Sequence, residues 1–435
     1  MEKTINIIGG GLAGCEATYQ LQKRGYCVRL YEQKPSIFSP AHSNANLAEI
    51  VCSNSLKSTD LSTASGMLKA ELKIIDCLLL KIAEECSVPA GSALAVDREQ
   101  FSQKVTNYIE SLPNVEIIRE EVTKIDTDIP TIIATGPLTS GKFFDEIGKL
   151  LGDERLYFYD ASAPIIDAST IDKSKTFSSG RYGQASDYIN CPMNKEEYYT
   201  FVHELTNAKR AELHEFESTN VFEGCMPIEI MASRGEDTLR FGPLRPVGFE
   251  KTGEKRPFAV VQLRRENTQS DLYNIVGFQT NLTFGEQKRV FSLIPALANA
   301  EFVKYGVMHR NSYICAPKHL TENFALKINP NIYFAGQISG VEGYVESITS
   351  GLVAALDMAN TLDKKPHICW PKDTMIGAII NYLITASENN FQPMNANFGI
   401  LPPLDSKIKD KKERKIQYSQ RGLESLKQML KNLQK

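Results

Sequence analysis

Near the start of the chain, Gly9-Gly10-Gly11-Leu12-Ala13-Gly14 sets three glycines at the spacing G-x-G-x-x-G. Each glycine has its own task in phosphate chemistry. The first makes a tight turn, the second lets backbone approach a pyrophosphate, and the third lets a helix pack against a strand. The motif means something only between a strand and a helix. Thr4-Ile5-Asn6-Ile7-Ile8 reads as the strand and residues 12–24 as the helix, whose N-terminal N–H groups would face the anion. Glu32 lies 18 residues after Gly14, at the end of a predicted strand over 27–32. From there a carboxylate reaches ribose hydroxyls. Strand, helix and acid together point to a bound dinucleotide rather than a bare turn.

The elements that must position this motif alternate at both ends of the chain. Residues 64–87 read as one helix, with Met67, Leu68, Leu72, Ile75 and Ile82 at three- and four-residue spacing. Thr131-Ile132-Ile133-Ala134-Thr135-Gly136 is a short strand running into a glycine turn. From about 166 to 300 charge, proline and aromatic residues increase, with β-like runs such as Phe258-Ala259-Val260-Val261-Gln262-Leu263. Strand–turn–helix order returns at Ile332-Tyr333-Phe334-Ala335, followed by a predicted helix over 345–361. The expected fold is α/β: a Rossmann-like nucleotide domain over 1–165 and 301–435, interrupted by an inserted α+β lobe over 166–300. The segment Tyr333-Phe334-Ala335-Gly336-Gln337, with Gly340 and Gly343, resembles the one that closes over the flavin in two-dinucleotide-fold flavoproteins. The Ala134-Thr135-Gly136 turn resembles their linking motif, so FAD is the expected cofactor.

Composition narrows the class further. A chain of 435 residues calls for two or three lobes, and 42% apolar with 23% charged residues is ordinary for a globular protein. The net charge of −3 excludes a generally basic surface for nucleic acid, so any RNA site must be a local patch. No run approaches the roughly 20 apolar residues that span a bilayer. Met1-Glu2-Lys3 leads straight into the first strand without a secretory design, and a cytoplasmic protein with no membrane partner is expected. The nine cysteines, Cys15, Cys27, Cys52, Cys77, Cys86, Cys191, Cys225, Cys315 and Cys369, form no C-x-x-C pair. An odd number without such pairs argues against a disulfide framework or a metal site.

Longer blocks carry a family resemblance. They are Leu47-Ala48-Glu49-Ile50-Val51-Cys52-Ser53-Asn54-Ser55-Leu56, Phe222-Glu223-Gly224-Cys225-Met226-Pro227-Ile228-Glu229, Met308-His309-Arg310-Asn311, Gly340-Val341-Glu342-Gly343-Tyr344-Val345-Glu346-Ser347 and Phe391-Gln392-Pro393-Met394-Asn395. Together they resemble the folate- and FAD-dependent tRNA (uracil-5-)-methyltransferases over residues 4 to about 415. The chain departs at Gln33-Lys34 and at Phe249. Those departures touch no presumed chemistry, and they leave a tRNA target and a ribosomal RNA target both open.

The resemblance implies a specific reaction. Uracil C5 is a poor nucleophile until a thiolate adds at C6, and a thiolate both attacks and leaves well. The implied carbon donor is 5,10-methylenetetrahydrofolate, with NADPH or NADH as reductant and FAD as carrier. Cys225 and Cys52 match the two family cysteines, Cys225 as nucleophile and Cys52 as base, or in the reverse order. Gly224-Cys225-Met226-Pro227 and Ser53-Asn54-Ser55 suit reactive turns better than core strands; the other seven cysteines read as small buried hydrophobes. Glu342, Glu346 and Tyr344 are expected near the flavin or pterin, and His309, Arg310 and Asn311 near the substrate or folate tail. Asn54 and Ser55 would support the Cys52 turn.

RNA would meet Arg234, Arg240, Arg245, Lys251, Lys255, Arg256, Arg264 and Arg265 of the inserted lobe, although acids interleave with them. The tail from Lys407 to Lys435 carries ten Lys/Arg against three acids, and Leu423, Leu426, Leu430 and Leu433 form one stripe. It reads either as a phosphate-binding arm or as a docked helix with a charged outer face. A plain NAD(P)H-linked flavin oxidoreductase would need a second nicotinamide-binding glycine motif, and the chain shows none. A non-catalytic RNA-binding helper would have no chemical use for the cysteine pair.

Overall fold

The computed structural model describes residues 4–152, 156–179, 181, 187–211, 226–249, 256–269, 271–405 and 407–433; for 156–160, 309, 310 and 390 it describes the backbone. Five parallel strands form the central sheet in the order Ile332–Phe334, Thr131–Ile133, Thr4–Ile8, Cys27–Tyr31, Val115–Ile118. A parallel sheet is covered on both faces; Thr131–Ile133 and Ile332–Phe334 are buried at every position, whereas toward the other edge Cys27–Tyr31 and Val115–Ile118 expose Arg29 and Glu116. The helix Leu12–Gln22 is buried from Leu12 through Leu21, so it serves as core rather than as an amphipathic cover. It packs against the helix Tyr344–Leu362, where a Cβ on Gly351 would lie 2.2 Å from the Ala13 carbonyl oxygen. One apolar core therefore joins residues 5–147 to 313–426.

A second core runs from Ile166 to Ala300. It is built on a six-stranded sheet that includes Tyr188–Met193, Ala259–Arg265 and Leu272–Ile275, all antiparallel. The chain enters and leaves this lobe on adjacent antiparallel strands, Leu156–Ala161 and Met308–Tyr313. The α/β class with an inserted α+β lobe is thus the one read from the sequence.

The expected helix over 64–87 is two helices, Ala64–Ile74 and Leu78–Glu85. Asp76 sits between them with φ +64, in the left-handed region that ends helices. The second helix is started from elsewhere: buried Glu16 accepts from the N–H groups of Leu78 (3.3 Å) and Leu79 (3.0 Å). The terminal helix Lys411–Leu433 is docked. Leu426 is fully buried, Ser419 Oγ donates to the Leu61 carbonyl (2.7 Å), and Ser425 Oγ donates to Asp373 (2.6 Å). Of its stripe, Leu423 and Leu430 are half-buried beside Leu426 while Leu433 is exposed, and Lys411, Lys412, Lys427 and Lys431 face out. Among the described residues no helix is long and apolar enough to cross a membrane.

Candidate active site

The three glycines of the first motif have three different surroundings. Gly9 has φ +109, and a Cβ there would meet the Ala134 carbonyl oxygen at 2.5 Å. A Cβ on Gly14 would lie 1.9 Å from the Gly9 carbonyl oxygen, so helix and strand touch through hydrogen alone. Around Gly11 nothing lies within 4 Å. Gly11 is also the N-cap of the helix Leu12–Gln22 and offers no side-chain cap, which leaves the first-turn N–H groups facing the open side. Glu32 closes this end: its carboxylate accepts from Gly10 N (3.1 Å) and Lys34 N (2.9 Å).

A cleft of about 380 Å³ starts here and extends along the ends of the strands. Gly9, Gly10, Gly11, Leu12, Ala13 and Glu32 line one end; Gly336, Gln337, Glu342, Tyr344, Cys52 and Asn311 line the rest. Gly14 lies behind the wall, in the packing role its spacing predicts. Gly336 and Gly343 adopt φ of +78 and +117, and Gly343 caps the helix Tyr344–Leu362 without a side-chain bond. Gln337 Nε2 donates to the Glu342 carboxylate. Glu346 also lines the cleft: one oxygen accepts from Ala396 N (2.9 Å), and the other is buried with no hydrogen-bond partner among the described residues. Open space at Gly11, an uncapped helix start and an unpartnered buried acceptor suit a phosphate-bearing cofactor with a polar ring.

The thiol end is built around one hydroxyl. Tyr344 Oη accepts from Cys52 N (2.9 Å) and Ser53 N (3.1 Å), and it lies 2.8 Å from Cys52 Sγ. Two N–H donors occupy both lone pairs of the phenol oxygen, so its one proton points to sulfur. Burial, followed by charge at Cys52, pushes the Tyr344 hydroxyl well above the ordinary tyrosine range, so it keeps that proton. A sulfur that accepts a hydrogen bond is stabilised as thiolate.

The turn is held from both domains. Arg98 Nη1 donates to the carbonyls of Ile50 (3.2 Å) and Val51 (3.0 Å), while its Nε pairs with Glu266 at 2.8 Å. Arg264 Nε donates to Asn54 Oδ1 (2.9 Å) and its Nη2 to Ser53 Oγ (2.9 Å); Asn54 Nδ2 returns a bond to the Arg265 carbonyl (2.8 Å). Arg264 is therefore buried and does not belong to an outer RNA face, which corrects the expectation from sequence. Its guanidinium is held below the ordinary arginine value by burial, against the pull of Glu266. Arg98 and Lys304 both interact electrostatically with Cys52. Lys304 is lowered first by burial and then by the charge of Arg98.

Cys225 lies outside the described residues, as do Lys251 and Lys255 and the side chains of His309 and Arg310. Asn311 is buried and lines the cleft. Ile228, three positions after Cys225, donates its N–H to the carbonyl of Gln279 (2.7 Å), and Gln279 also lines the cleft. Arg98 and Lys304 gave no signal in the sequence, because nothing local distinguishes a lysine or arginine that acts electrostatically on a thiol distant in the chain.

Comparison with known proteins shows the family. The family model described as glucose inhibited division protein A matches residues 4–366. A methylenetetrahydrofolate--tRNA-(uracil-5-)-methyltransferase TrmFO of Natranaerobius thermophilus is 54% identical over 429 residues, covering 98% of this chain and 99% of its own. The protein of the same name from Fusobacterium nucleatum is 53% identical over 436 residues, covering both chains fully. Among solved structures, GidA of Aquifex aeolicus superposes with a TM-score of 0.70 at 15% identity, covering 100% of this chain and 76% of its own, which is a likeness of fold. The chain therefore belongs to the glucose inhibited division protein A family, and within it to the group of the methylenetetrahydrofolate--tRNA-(uracil-5-)-methyltransferases.

Proposed function

We propose that this chain methylates C5 of a uridine in tRNA, the T-loop uridine at position 54, and that it does so in the cytoplasm. The carbon comes from 5,10-methylenetetrahydrofolate and the reducing equivalents from NADPH or NADH. The observation that carries the reading is the Cys52 sulfur, 2.8 Å from the Tyr344 hydroxyl in the same cleft as the glycine turn. FAD would be held by Gly9, Gly10, Gly11, Leu12, Ala13, Glu32, Gly336 and Gln337, with Gly14 supporting the turn from behind. When bound, it supplies the one-carbon carriage and the reduction.

The chain's own residues do the rest. Cys225 adds its sulfur to C6 of the uracil, which makes C5 nucleophilic toward the incoming carbon. The Ile228 N–H is anchored on the carbonyl of Gln279, a residue of the cleft wall, which supports this role for the cysteine three positions earlier in the chain. Cys52, favoured as thiolate by Tyr344, Arg98 and Lys304, removes the C5 proton; the C6 sulfur then leaves as the ring double bond re-forms. Tyr344 holds the Cys52 turn and its proton stays in place. Glu342 and Glu346 supply acceptors for ring N–H groups, and Asn311, with His309 and Arg310 on the same strand, holds the base or the folate tail.

The test is a single-pot assay with unmodified tRNA and ribosomal RNA transcripts, methylenetetrahydrofolate and NADPH, with the product mapped by mass spectrometry. Wild type is expected to form 5-methyluridine in tRNA. Cys225→Ala and Cys52→Ala should each form none while retaining flavin and binding RNA. Full activity of Cys52→Ala, or methylation confined to ribosomal RNA, would overturn the assignment.

A further inference from the structure

The inserted lobe carries a second concavity that the reaction above does not use. It is an open groove of about 1450 Å³ at one end of the antiparallel sheet, bounded by Phe177 on one strand and Phe258 beside another. Five cations and one acid, Glu197, line it, and of the cations Lys175 and Arg240 already pair with Asp172 and Asp237. Glu197 is itself engaged, because its carboxylate accepts from Asn194 N (2.7 Å) in a capping box. The chain as a whole carries a net charge of −3, so the groove stands out as a local positive patch. Lys195 and Arg245 are exposed on it, and neither has an ion-pair partner among the described residues.

Aromatic rings alternate with these cations. Phe241 ends the four-residue helix Thr238–Phe241, whose Leu239 is fully buried while Phe241 is 83% exposed at the rim. Phe258 already bears a guanidinium on its face, with Arg240 at 3.6 Å from the ring centre. The rim is also held in shape. Arg181 Nη1 donates to the carbonyls of Arg245 (2.7 Å) and Val247 (2.7 Å), which fixes the turn and leaves the Arg245 side chain to solvent. One exposed ring, Phe241, beside two cations that lack an ion-pair partner among the described residues, Lys195 and Arg245, suits unpaired nucleotides, whose bases stack and whose phosphates pair.

Position strengthens the case. The strand Ala259–Arg265 runs from this groove to Arg264, which bonds Ser53 and Asn54 beside Cys52. From Phe258 to Arg264 is roughly 20 Å at about 3.3 Å per residue. A stacked strand rising about 3.4 Å per nucleotide covers that in about six steps. We infer that the groove around Phe241 and Arg245 is a second RNA contact, which grips unpaired nucleotides of the substrate roughly 20 Å from the base being modified. This rests on the RNA substrate proposed above.

The experiment measures equilibrium binding of an unmodified tRNA transcript by the full-length protein, with no turnover required. Phe241→Ala should weaken binding by about ten- to hundredfold, and Phe241→Tyr should restore it, because stacking needs a ring rather than that ring. Arg245→Ala should reduce the slope of log affinity against log salt by about 1. Reduction of the flavin by NADPH should be unchanged in all three, since the groove lies away from the cleft. Unchanged affinity in Phe241→Ala overturns the groove, whether or not wild type methylates. So does a raised KM for methylenetetrahydrofolate with tRNA affinity intact, which would make the groove a folate-tail site. Wild type that binds tRNA through Phe241 yet makes no 5-methyluridine leaves the groove standing and sinks the reaction.

Discussion

At the nucleotide end of the cleft the wall is backbone, and its shape depends on atoms that are missing. Gly9, Gly11 and Gly14 leave a tight turn, an open approach and a bare helix contact. At the thiol end the wall is side chains, and its shape depends on atoms that are present. Tyr344, Arg98 and Arg264 arrive from three parts of the chain to hold one turn, and Asn54 within the turn bonds back to the Arg265 carbonyl. The two ends should therefore fail in opposite ways. Adding a methyl breaks the first, and removing a polar group breaks the second.

Gly14→Ala should have the largest effect. The new carbon would sit 1.9 Å from the Gly9 carbonyl oxygen, which is backbone that no rotamer change can clear. The helix Leu12–Gln22 must move off its strand, at more than the about 1–3 kcal/mol of ordinary overpacking. Protein purified from this variant should lack flavin absorbance and melt well below wild type. Normal flavin content would break the comparison at its stronger end.

Arg98→Met tests the other end. It strands Glu266, whose side chain is only 3% exposed, and removes both bonds to the Cys52 turn. Breaking a buried pair from one side costs about 3–5 kcal/mol. Methylation should fall on the order of a hundredfold, as for a catalytic group displaced by about 1 Å. Pairing it with Glu266→Leu removes the stranded charge, so the melting temperature should recover while methylation stays low. Recovery of both would mean that Arg98 serves the fold and not the thiol.

This contrast also explains what could be read from the chain alone. The glycine spacing, the strand before it and Glu32 are all local, and steric rules connect them without knowledge of the rest of the fold. The thiol end is not local. Arg264 reads as one of a basic group in sequence and becomes a buried clamp because the strand Ala259–Arg265 ends against Asn54. Tyr344 lies on the cleft wall, and its hydroxyl bonds to Cys52 and Ser53 appear only when residues 292 positions apart meet. The break at Asp76 has the same origin. Apolar spacing runs through it, and only Glu16, from the first helix, supplies the cap that starts the second.

Gly11→Ala should have the smallest effect on the fold and separates two readings of the same motif. Gly11 has φ −79 and ψ −167, a backbone any residue can adopt, and no atom lies within 4 Å of its missing Cβ. Alanine removes unfolded-state freedom worth about 0.4–1 kcal/mol. A comparable preference for glycine over alanine at an N-cap opposes it. Stability should therefore stay close to wild type. The methyl would instead occupy the approach to the helix N-terminus, where a pyrophosphate would accept its N–H groups. Loss of one such charge-assisted bond weakens binding by about ten- to hundredfold, read as flavin released on dilution. If Gly11→Ala unfolds as Gly14→Ala does, the open space beside it is not there in solution. If it folds and keeps flavin as tightly as wild type, the phosphates lie elsewhere along the cleft, and the nucleotide end is defined by packing alone.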